Sequence, residues 1–219
     1  MNKNFKCIIF DLDGTLIDSG PDLLNSLNYI LKKEGLKSVD QSVLGKLVGG
    51  GAEAMIRKGF QHLKTYLDES KMEQYIKDFL DFYFSNCIIK TKLYEDVEYT
   101  LNHFITKKKK ICLCTNKKQY LTEKIISGFN LEKYFDLILG SSKVMCLKPD
   151  VEMLKYCIKY LDCIPQECLM VGDSDNDIIP ANKLGVTSVF VNYGYGVLSK
   201  NIQPNYEVQN LRELTRIFL

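Results

Sequence analysis

Five short apolar runs constrain the fold of this 219-residue chain more than any other feature of its sequence. Each run is bounded by polar residues or glycine, and runs of this length are typical of strands buried on both faces of a parallel sheet. Helical patterns, with apolar residues at four-residue spacing, lie between the later runs. The alternation predicts an α/β fold with a doubly wound parallel sheet. The five runs are Cys7–Phe10, Ile111–Cys114, Leu137–Leu139, Cys168–Val171 and Ser188–Val191.

The first two runs are separated by about 100 residues, far more than the connection between two parallel strands needs. This gap has helix signals of its own. Pro21 suits the first turn of a helix, a second helix is expected after Gly49-Gly50-Gly51, and a third from about Ser70 to Ser85. We therefore predict an α/β core formed by residues 1–18 and 87–219, and an all-helical cap formed by residues 19–86.

Composition excludes several classes of protein. The 29 basic and 27 acidic residues nearly balance, which gives no electrostatic reason to expect nucleic acid or an anionic membrane as a partner. The first apolar run ends at Asp11, too early for a secretory signal, and no stretch approaches transmembrane length. The eight cysteines form no CxxC pair, and several lie in strand-like runs. We expect a cytoplasmic protein, either a monomer or a homodimer.

Two carboxylates follow the first predicted strand directly. Asp11 and Asp13 are two residues apart at the strand end, so their side chains point the same way. Ligands of open α/β sheets bind at this edge, and Gly14 lets the backbone turn sharply there. On its own, such a pair is more commonly a pair of turn-forming aspartates.

Polar residues at the ends of the other strands favour a chemical role. Thr115 and Asn116 follow the second run and offer a hydroxyl and an amide to phosphate oxygens. Lys148, before a proline, follows the third run, and an acidic segment from Asp173 to Asp177 follows the fourth. Carboxylates for a hard divalent cation, with a lysine and a hydroxyl for a phosphate, make up a phosphoryl-transfer site.

These segments resemble, in order, the four motifs of the haloacid-dehalogenase-like superfamily. The resemblance covers essentially the whole chain and implies a Rossmann-like core with a type-1 cap after the first strand. Within the superfamily the sequence is most similar to phosphoglycolate phosphatases, through Val48-Gly49-Gly50-Gly51-Ala52 and Tyr193-Gly194-Tyr195-Gly196. One departure is Val151, where family members often have a second proline. The four motifs are Asp11-Leu12-Asp13-Gly14-Thr15-Leu16-Ile17-Asp18-Ser19, Thr115-Asn116-Lys117, Lys148-Pro149 and Gly172-Asp173-Ser174-Asp175-Asn176-Asp177.

The resemblance also implies the roles of individual residues. Asp11 is the expected nucleophile, which forms an aspartyl-phosphate, and Asp13 is the expected general acid and base. Thr115, Asn116 and Lys148 are expected to bind the phosphate. The expected cofactor is magnesium, held by Asp11, Asp13 through its backbone carbonyl, Asp173 and Asp177. Asp175 is expected to be a turn residue or helix cap and not a ligand.

The substrate predicted from the sequence is a small phosphorylated metabolite, 2-phosphoglycolate. A loop formed by Gly49, Gly50 and Gly51 would open a helix whose N–H groups suit a small carboxylate. The same glycines could instead be a flexible turn between helices. A β-phosphoglucomutase-like mutase and a broad-specificity sugar phosphatase stay open as alternatives. A phospho-accepting signalling domain is a non-enzyme alternative, but such domains are shorter and have no large insert after the first strand.

Overall fold

The computed structural model describes residues 5–141 and 146–218. The chain forms two compact units. One consists of Met1–Asp18 and Leu93–Leu219, and the other of Ser19–Lys92. In the part of the chain that is described, no helix combines the length and apolar character needed to span a membrane.

The first unit is built on a six-stranded sheet in the order β5-β4-β1-β6-β7-β8, and every pair in it is parallel. A separate two-stranded sheet pairs β2 with β3. The predicted α/β doubly wound fold is confirmed, and all five apolar runs lie in strands of the large sheet. The strands are β1 Cys7–Phe10, β2 Ile17–Asp18, β3 Lys92–Leu93, β4 Lys110–Cys114, β5 Leu137–Leu139, β6 Cys168–Gly172, β7 Thr187–Val191 and β8 Tyr206–Val208.

The central strand β1 fixes where the site can form. Phe10, its last residue, pairs with Leu113 of β4 on one side and with Val171 of β6 on the other. The residues that follow these three strands therefore emerge side by side at one edge of the sheet. After β1 the chain adds β4 and β5 on one side of it and then crosses to add β6, β7 and β8 on the other side. The strand order reverses at β1, and open α/β folds bind their ligands at such a position.

Helices flank the strands of the first unit and make up most of the second. α1 begins with Pro21 in its first turn, and α3 begins at Gly51, as the sequence indicates. The predicted third helix of the insert is α4, which ends at Asn86. The helices are α1 Gly20–Lys33, α2 Leu44–Leu47, α3 Gly51–His62, α4 Met72–Asn86, α5 Val97–Thr106, α6 Gln119–Gly128, α7 Glu152–Tyr160, α8 Asp175–Leu184 and α9 Leu214–Ile217.

The helical unit ends at Lys92 and not at residue 86, where the sequence suggested a boundary. Asp22, a fully buried residue in the first turn of α1, contacts the segment after residue 86. Its carboxylate accepts hydrogen bonds from the backbone N–H groups of Lys90 and Thr91 and from the Thr91 hydroxyl, at 2.8–3.1 Å. These bonds tie the segment after α4 back to α1, so the segment belongs to the helical unit.

Candidate active site

Lys148 lies at the centre of the charged groups at the strand ends. Its side chain is almost fully buried, and its ammonium donates to Asp11 Oδ1 at 2.8 Å, to Asp177 Oδ1 at 2.6 Å and to the Cys114 carbonyl at 2.7 Å. Burial alone would lower the pKa of Lys148, but Asp11 and Asp177 hold that pKa above its usual value. The lysine is therefore a fixed positive charge beside the end of β1.

Three carboxylates gather around this lysine. Asp11, Asp173 and Asp177 each offer an oxygen within 4.8 Å of the others, and all three residues are buried. Burial raises the pKa of Asp11 to about 7, with the neighbouring carboxylates adding to the shift and Lys148 opposing it. Burial and the nearby Asp177 raise the pKa of Asp173 to about 6. Among the residues that the structure describes, one ammonium thus lies beside three carboxylates, and negative charge is in excess.

The donor atoms of this cluster fit a hard divalent cation. All of them are carboxylate oxygens, the ligand type that magnesium prefers, and a divalent charge would offset the excess negative charge. The Asp13 side chain is not part of the described cluster. The expectation that its backbone carbonyl serves the metal stays a prediction.

Asp177 is held in place by two interactions. Ser174 begins α8 as its N-cap, and Asp177 Oδ2 accepts hydrogen bonds from the Ser174 backbone N–H at 3.2 Å and from its hydroxyl at 3.0 Å. The other oxygen of Asp177 accepts from Lys148. Asp175 differs: it is not in the cluster, and its carboxylate accepts from the Ser199 N–H at 3.0 Å.

The segment Tyr193–Gly196 holds Asp173 and is a feature to which sequence reasoning gave no role. The backbone N–H groups of Tyr195 and Gly196 donate to Asp173 Oδ2 at 2.8 and 3.0 Å. The Tyr195 hydroxyl hydrogen-bonds the carboxylate of Asp18. A methyl group on Gly196 would lie 2.1 Å from the Asp173 carbonyl oxygen, so glycine is required for this close approach.

Asn116 pairs with the backbone of Lys148, and its predicted contact with phosphate stays a prediction. Its side-chain oxygen accepts from the Lys148 N–H at 2.9 Å, and its amide donates to the Lys148 carbonyl at 2.7 Å. Asn116 therefore fixes the backbone of the lysine, and the predicted contact with phosphate would have to compete with these bonds. Thr115 is buried at the end of β4, and its hydroxyl oxygen accepts from the Lys117 N–H at 3.2 Å.

Lys117 is the site residue that sequence reasoning missed. Its ammonium donates to both oxygens of Asp13, at 2.8 and 2.9 Å. The Lys117 side chain is only 6% exposed. The available signal was its position directly after Thr115 and Asn116, but sequence alone does not show where a lysine side chain points.

The glycine loop lies in the helical unit. Gly49, Gly50 and Gly51 all have positive φ angles, of 101°, 86° and 83°. Gly50 is the N-cap of α3, and a methyl group added to Gly49 or Gly51 would meet no described atom within 4 Å. A methyl group added to Gly50 would lie 2.8 Å from the Ala54 side chain. All three glycines are therefore favoured by the backbone conformation, and Gly50 is also favoured by the limited space beside it.

The fold and the site together define a hydrolase whose acidic centre lies at the strand ends of a doubly wound sheet. The chain belongs to the haloacid dehalogenase-like hydrolase family, whose model matches residues 8–191.

Two relatives and one solved structure illustrate the similarity. A phosphoglycolate phosphatase of Colwellia psychrerythraea is 33% identical over 86% of this chain and 84% of the relative. One of Aquifex aeolicus is 32% identical over 97% of this chain and 96% of the relative. The crystal structure of a predicted phosphoglycolate phosphatase from Haemophilus somnus 129pt has a TM-score of 0.89 and 28% identity, and the match covers 99% of each chain. The prediction of a phosphatase-class enzyme is confirmed by the family and by these relatives.

Proposed function

We propose that this protein is a magnesium-dependent phosphatase that hydrolyses 2-phosphoglycolate through an aspartyl-phosphate on Asp11. The observation that supports this most directly is the arrangement around Asp11. Its buried carboxylate lies at the end of the central strand, bonded to Lys148 and clustered with two further carboxylates. The names of the similar proteins supply the choice of substrate.

The two chemical steps assign distinct roles to Asp11 and Asp13. In the first, a carboxylate oxygen of Asp11 attacks phosphorus, the bond from phosphorus to the ester oxygen breaks, and Asp13 gives a proton to the leaving alkoxide. In the second, water attacks phosphorus, Asp13 takes up a proton from that water, and the bond to Asp11 breaks. Inorganic phosphate is released, Asp11 is regenerated as a carboxylate, and Asp13 is regenerated in its protonated form.

The remaining residues bind and orient the phosphoryl group. Lys148 and Thr115 hold its non-bridging oxygens, where they stabilise negative charge. Asn116 acts here by fixing the Lys148 backbone. Asp11, Asp173, Asp177 and the Asp13 carbonyl would hold magnesium, which when bound offsets the charge of the phosphoryl oxygens and the carboxylates.

The cellular setting is also a proposal. Every cysteine is a free thiol and six of the eight are buried, which suits a reducing compartment such as the cytoplasm. The substrate is a small phosphorylated metabolite, and we expect no nucleic-acid or membrane partner. The protein acts as a monomer or a homodimer.

The central test is phosphate release from 2-phosphoglycolate, glycerol phosphate, a glucose phosphate and a nucleotide monophosphate, with magnesium or with EDTA. We expect the highest kcat/KM for 2-phosphoglycolate, no turnover in EDTA, and none with Asp11→Asn. A requirement for a bisphosphate activator would indicate a mutase instead. A kcat/KM for 2-phosphoglycolate no higher than for the sugar phosphate would overturn the substrate assignment.

The metal site is tested separately by calorimetric titration with magnesium. Asp173→Asn keeps an oxygen that can accept from Tyr195 and Gly196 but removes a charge, so magnesium affinity should fall at least ~10-fold. Asp175→Asn is the matched control, because this acidic residue of the same segment lies outside the cluster. Equal affinities for wild type and Asp173→Asn would exclude the metal site.

A further inference from the structure

The ion pair between Lys117 and Asp13 joins a buried cation to the proposed general acid. The Lys117 ammonium reaches both Asp13 oxygens, and the lysine side chain is 6% exposed, against 22% for that of Asp13. The lysine backbone is fixed on both sides: its N–H donates to the Thr115 hydroxyl and its carbonyl accepts from the Ser141 N–H at 2.9 Å. A cation so deeply buried requires an anionic partner at every stage of a reaction.

The proposed chemistry requires Asp13 to change its contacts. To protonate the leaving alkoxide, an Asp13 oxygen has to contact the ester oxygen of the substrate. In the structure, both of its oxygens are bonded to Lys117. At least one of these bonds therefore has to break when substrate binds, and Asp13, once it carries the proton that it donates, is neutral and no longer offsets the charge of the ammonium.

The substrate can supply an anion for this ammonium. In 2-phosphoglycolate a single methylene separates the ester oxygen from the carboxylate. When Asp13 contacts the ester oxygen, a cation within hydrogen-bond distance of Asp13 is also within reach of that carboxylate. Lys117 meets this condition, because its ammonium lies 2.8–2.9 Å from the Asp13 oxygens.

We propose that Lys117 is a substrate-binding residue that exchanges the Asp13 carboxylate for the carboxylate of the substrate. The inference rests on the proposed function and names the class of ligand this position recognises, an acid with a phosphate ester on the carbon next to its carboxylate. The exchange keeps the buried ammonium paired and frees an Asp13 oxygen for the ester oxygen. Selection for a carboxylate thus resides in the α/β unit.

The glycine loop of the helical unit is the competing location for carboxylate recognition. The N-terminus of α3 offers backbone N–H groups and a partial positive charge. The nearby Lys58 ammonium lies 3.3–3.5 Å from the carbonyl oxygens of Leu47, Val48 and Gly49. Lys117, in contrast, offers a full charge in a buried site, where a charge-assisted hydrogen bond is stronger.

The test compares two esters that differ only in the charged group. 2-Phosphoglycolate carries a carboxylate where 2-phosphoethanol carries a neutral CH2OH, and both leave as alkoxides. With magnesium present, Lys117→Met should lower the ratio of kcat/KM for 2-phosphoglycolate to kcat/KM for 2-phosphoethanol about 20-fold, and both values should fall because Lys117 also contacts Asp13. Lys117→Arg should keep most of the preference for the carboxylate. Lys118→Met is the matched control, because Lys118 is an exposed neighbour and its loss changes the net charge equally.

Each outcome decides a separate question. Retained turnover of 2-phosphoethanol shows that the Lys117→Met variant is folded. Circular dichroism of each variant checks its folding independently. Equal losses for the two esters, or a preference unchanged from wild type, would overturn the role of Lys117. Loss of the preference in Gly50→Val but not in Lys117→Met would place carboxylate recognition in the glycine loop. Absence of turnover of both esters by the wild-type protein would refute the proposed function together with this inference.

Discussion

Charge is unevenly matched among the residues at the ends of β1 and β6. Lys148 pairs with Asp11 and Asp177, and Asp173 adds a third carboxylate to this cluster; all four residues are buried. Like charges at such short range disfavour full ionisation, which is why the pKa values of Asp11 and Asp173 lie at about 7 and about 6. The metal-free protein therefore keeps protons here that an unfolded chain would lose.

This shift predicts how stability depends on pH without metal. The folded-state pKa values of about 7 and 6 exceed the value of about 4 for an unfolded aspartate, so the folded protein binds more protons between pH 4 and 7. The contribution of these carboxyls to stability is full below pH 4 and is lost as pH rises towards 7. Excess magnesium, which binds the ionised groups, should stabilise the protein increasingly over the same range.

The measurement is the Tm in EDTA and in excess magnesium, from pH 5 to 8. Asp11→Asn removes one of the two titrating groups, so the difference in Tm between wild type and this variant isolates the contribution of Asp11. We expect wild type to lose stability relative to the variant as pH rises in EDTA. A difference that does not vary with pH would contradict the raised pKa of Asp11.

At the scale of the element, two loops lie against the Asp173 carboxylate. The loop after β1 contributes Gly14, which has a φ of 84° and on which a methyl group would lie 2.1 Å from Asp173 Oδ2. The Tyr193–Gly196 segment donates two backbone hydrogen bonds to the same carboxylate. The position of this carboxylate is thus set by backbone, so small changes in these loops should affect metal binding directly.

Gly14→Ala should separate the effect of backbone strain from the effect of crowding at the site. Alanine at a positive φ costs ~1–2 kcal/mol wherever it occurs, and at residue 14 its methyl group would also displace Asp173. Gly35→Ala is the control, because Gly35 has a φ of 71° with no described atom within 4 Å of the added group. Both variants should unfold more easily in urea, but only Gly14→Ala should lose magnesium affinity, measured by calorimetry. Similar magnesium affinities in the two variants would contradict this account.

The strands and the residues at their ends were predictable from the sequence, because both depend on local pattern. Short apolar runs define buried parallel strands, and the ends of neighbouring strands must meet, so the sequence alone groups Asp11, Thr115 and Asp173. The contacts of Lys117 and Asn116 could not be predicted. They depend on where a flexible side chain and a loop lie after the strands have assembled, which no spacing in the sequence encodes.

The strand β8 and the edge of the helical unit were missed for related reasons. β8 lies at the edge of the sheet, and two of its three residues, Tyr206 and Glu207, are exposed, so it lacks the apolar run of a central strand. The end of the helical unit at Lys92 depends on hydrogen bonds to Asp22, which is about 70 residues earlier in the chain. Local pattern carries no information about such a distant partner.

At the scale of the whole molecule, Asp22 should help to hold Lys90 and Thr91 in the helical unit. Asp22→Ala would leave the N–H groups of Lys90 and Thr91 and the Thr91 hydroxyl without this acceptor, and we expect a loss of ~2–4 kcal/mol in unfolding free energy. The amides of these two residues should exchange hydrogen markedly faster. Asp40→Ala is the control, since Asp40 is an exposed cap that accepts from the Ser42 N–H, and its loss should cost ~1 kcal/mol. Unchanged amide exchange at Lys90 and Thr91 would contradict this role for Asp22.

The positions of the thiols allow transient opening of the sheet to be measured by chemical labelling. Cys146 is exposed and Cys163 is half-buried, while the sheet strands β1, β4 and β6 carry buried cysteines. A thiol-specific reagent in the native protein should modify Cys146 first and the strand cysteines only when the sheet transiently opens. Cys114 is the last residue of β4, and its carbonyl accepts a hydrogen bond from Lys148. The rate at which the Cys114 thiol becomes reactive therefore measures how often this end of β4 separates from the neighbouring strands. A ligand that binds the folded site should slow that reaction in proportion to its occupancy, so the kinetics of labelling give affinity without any turnover.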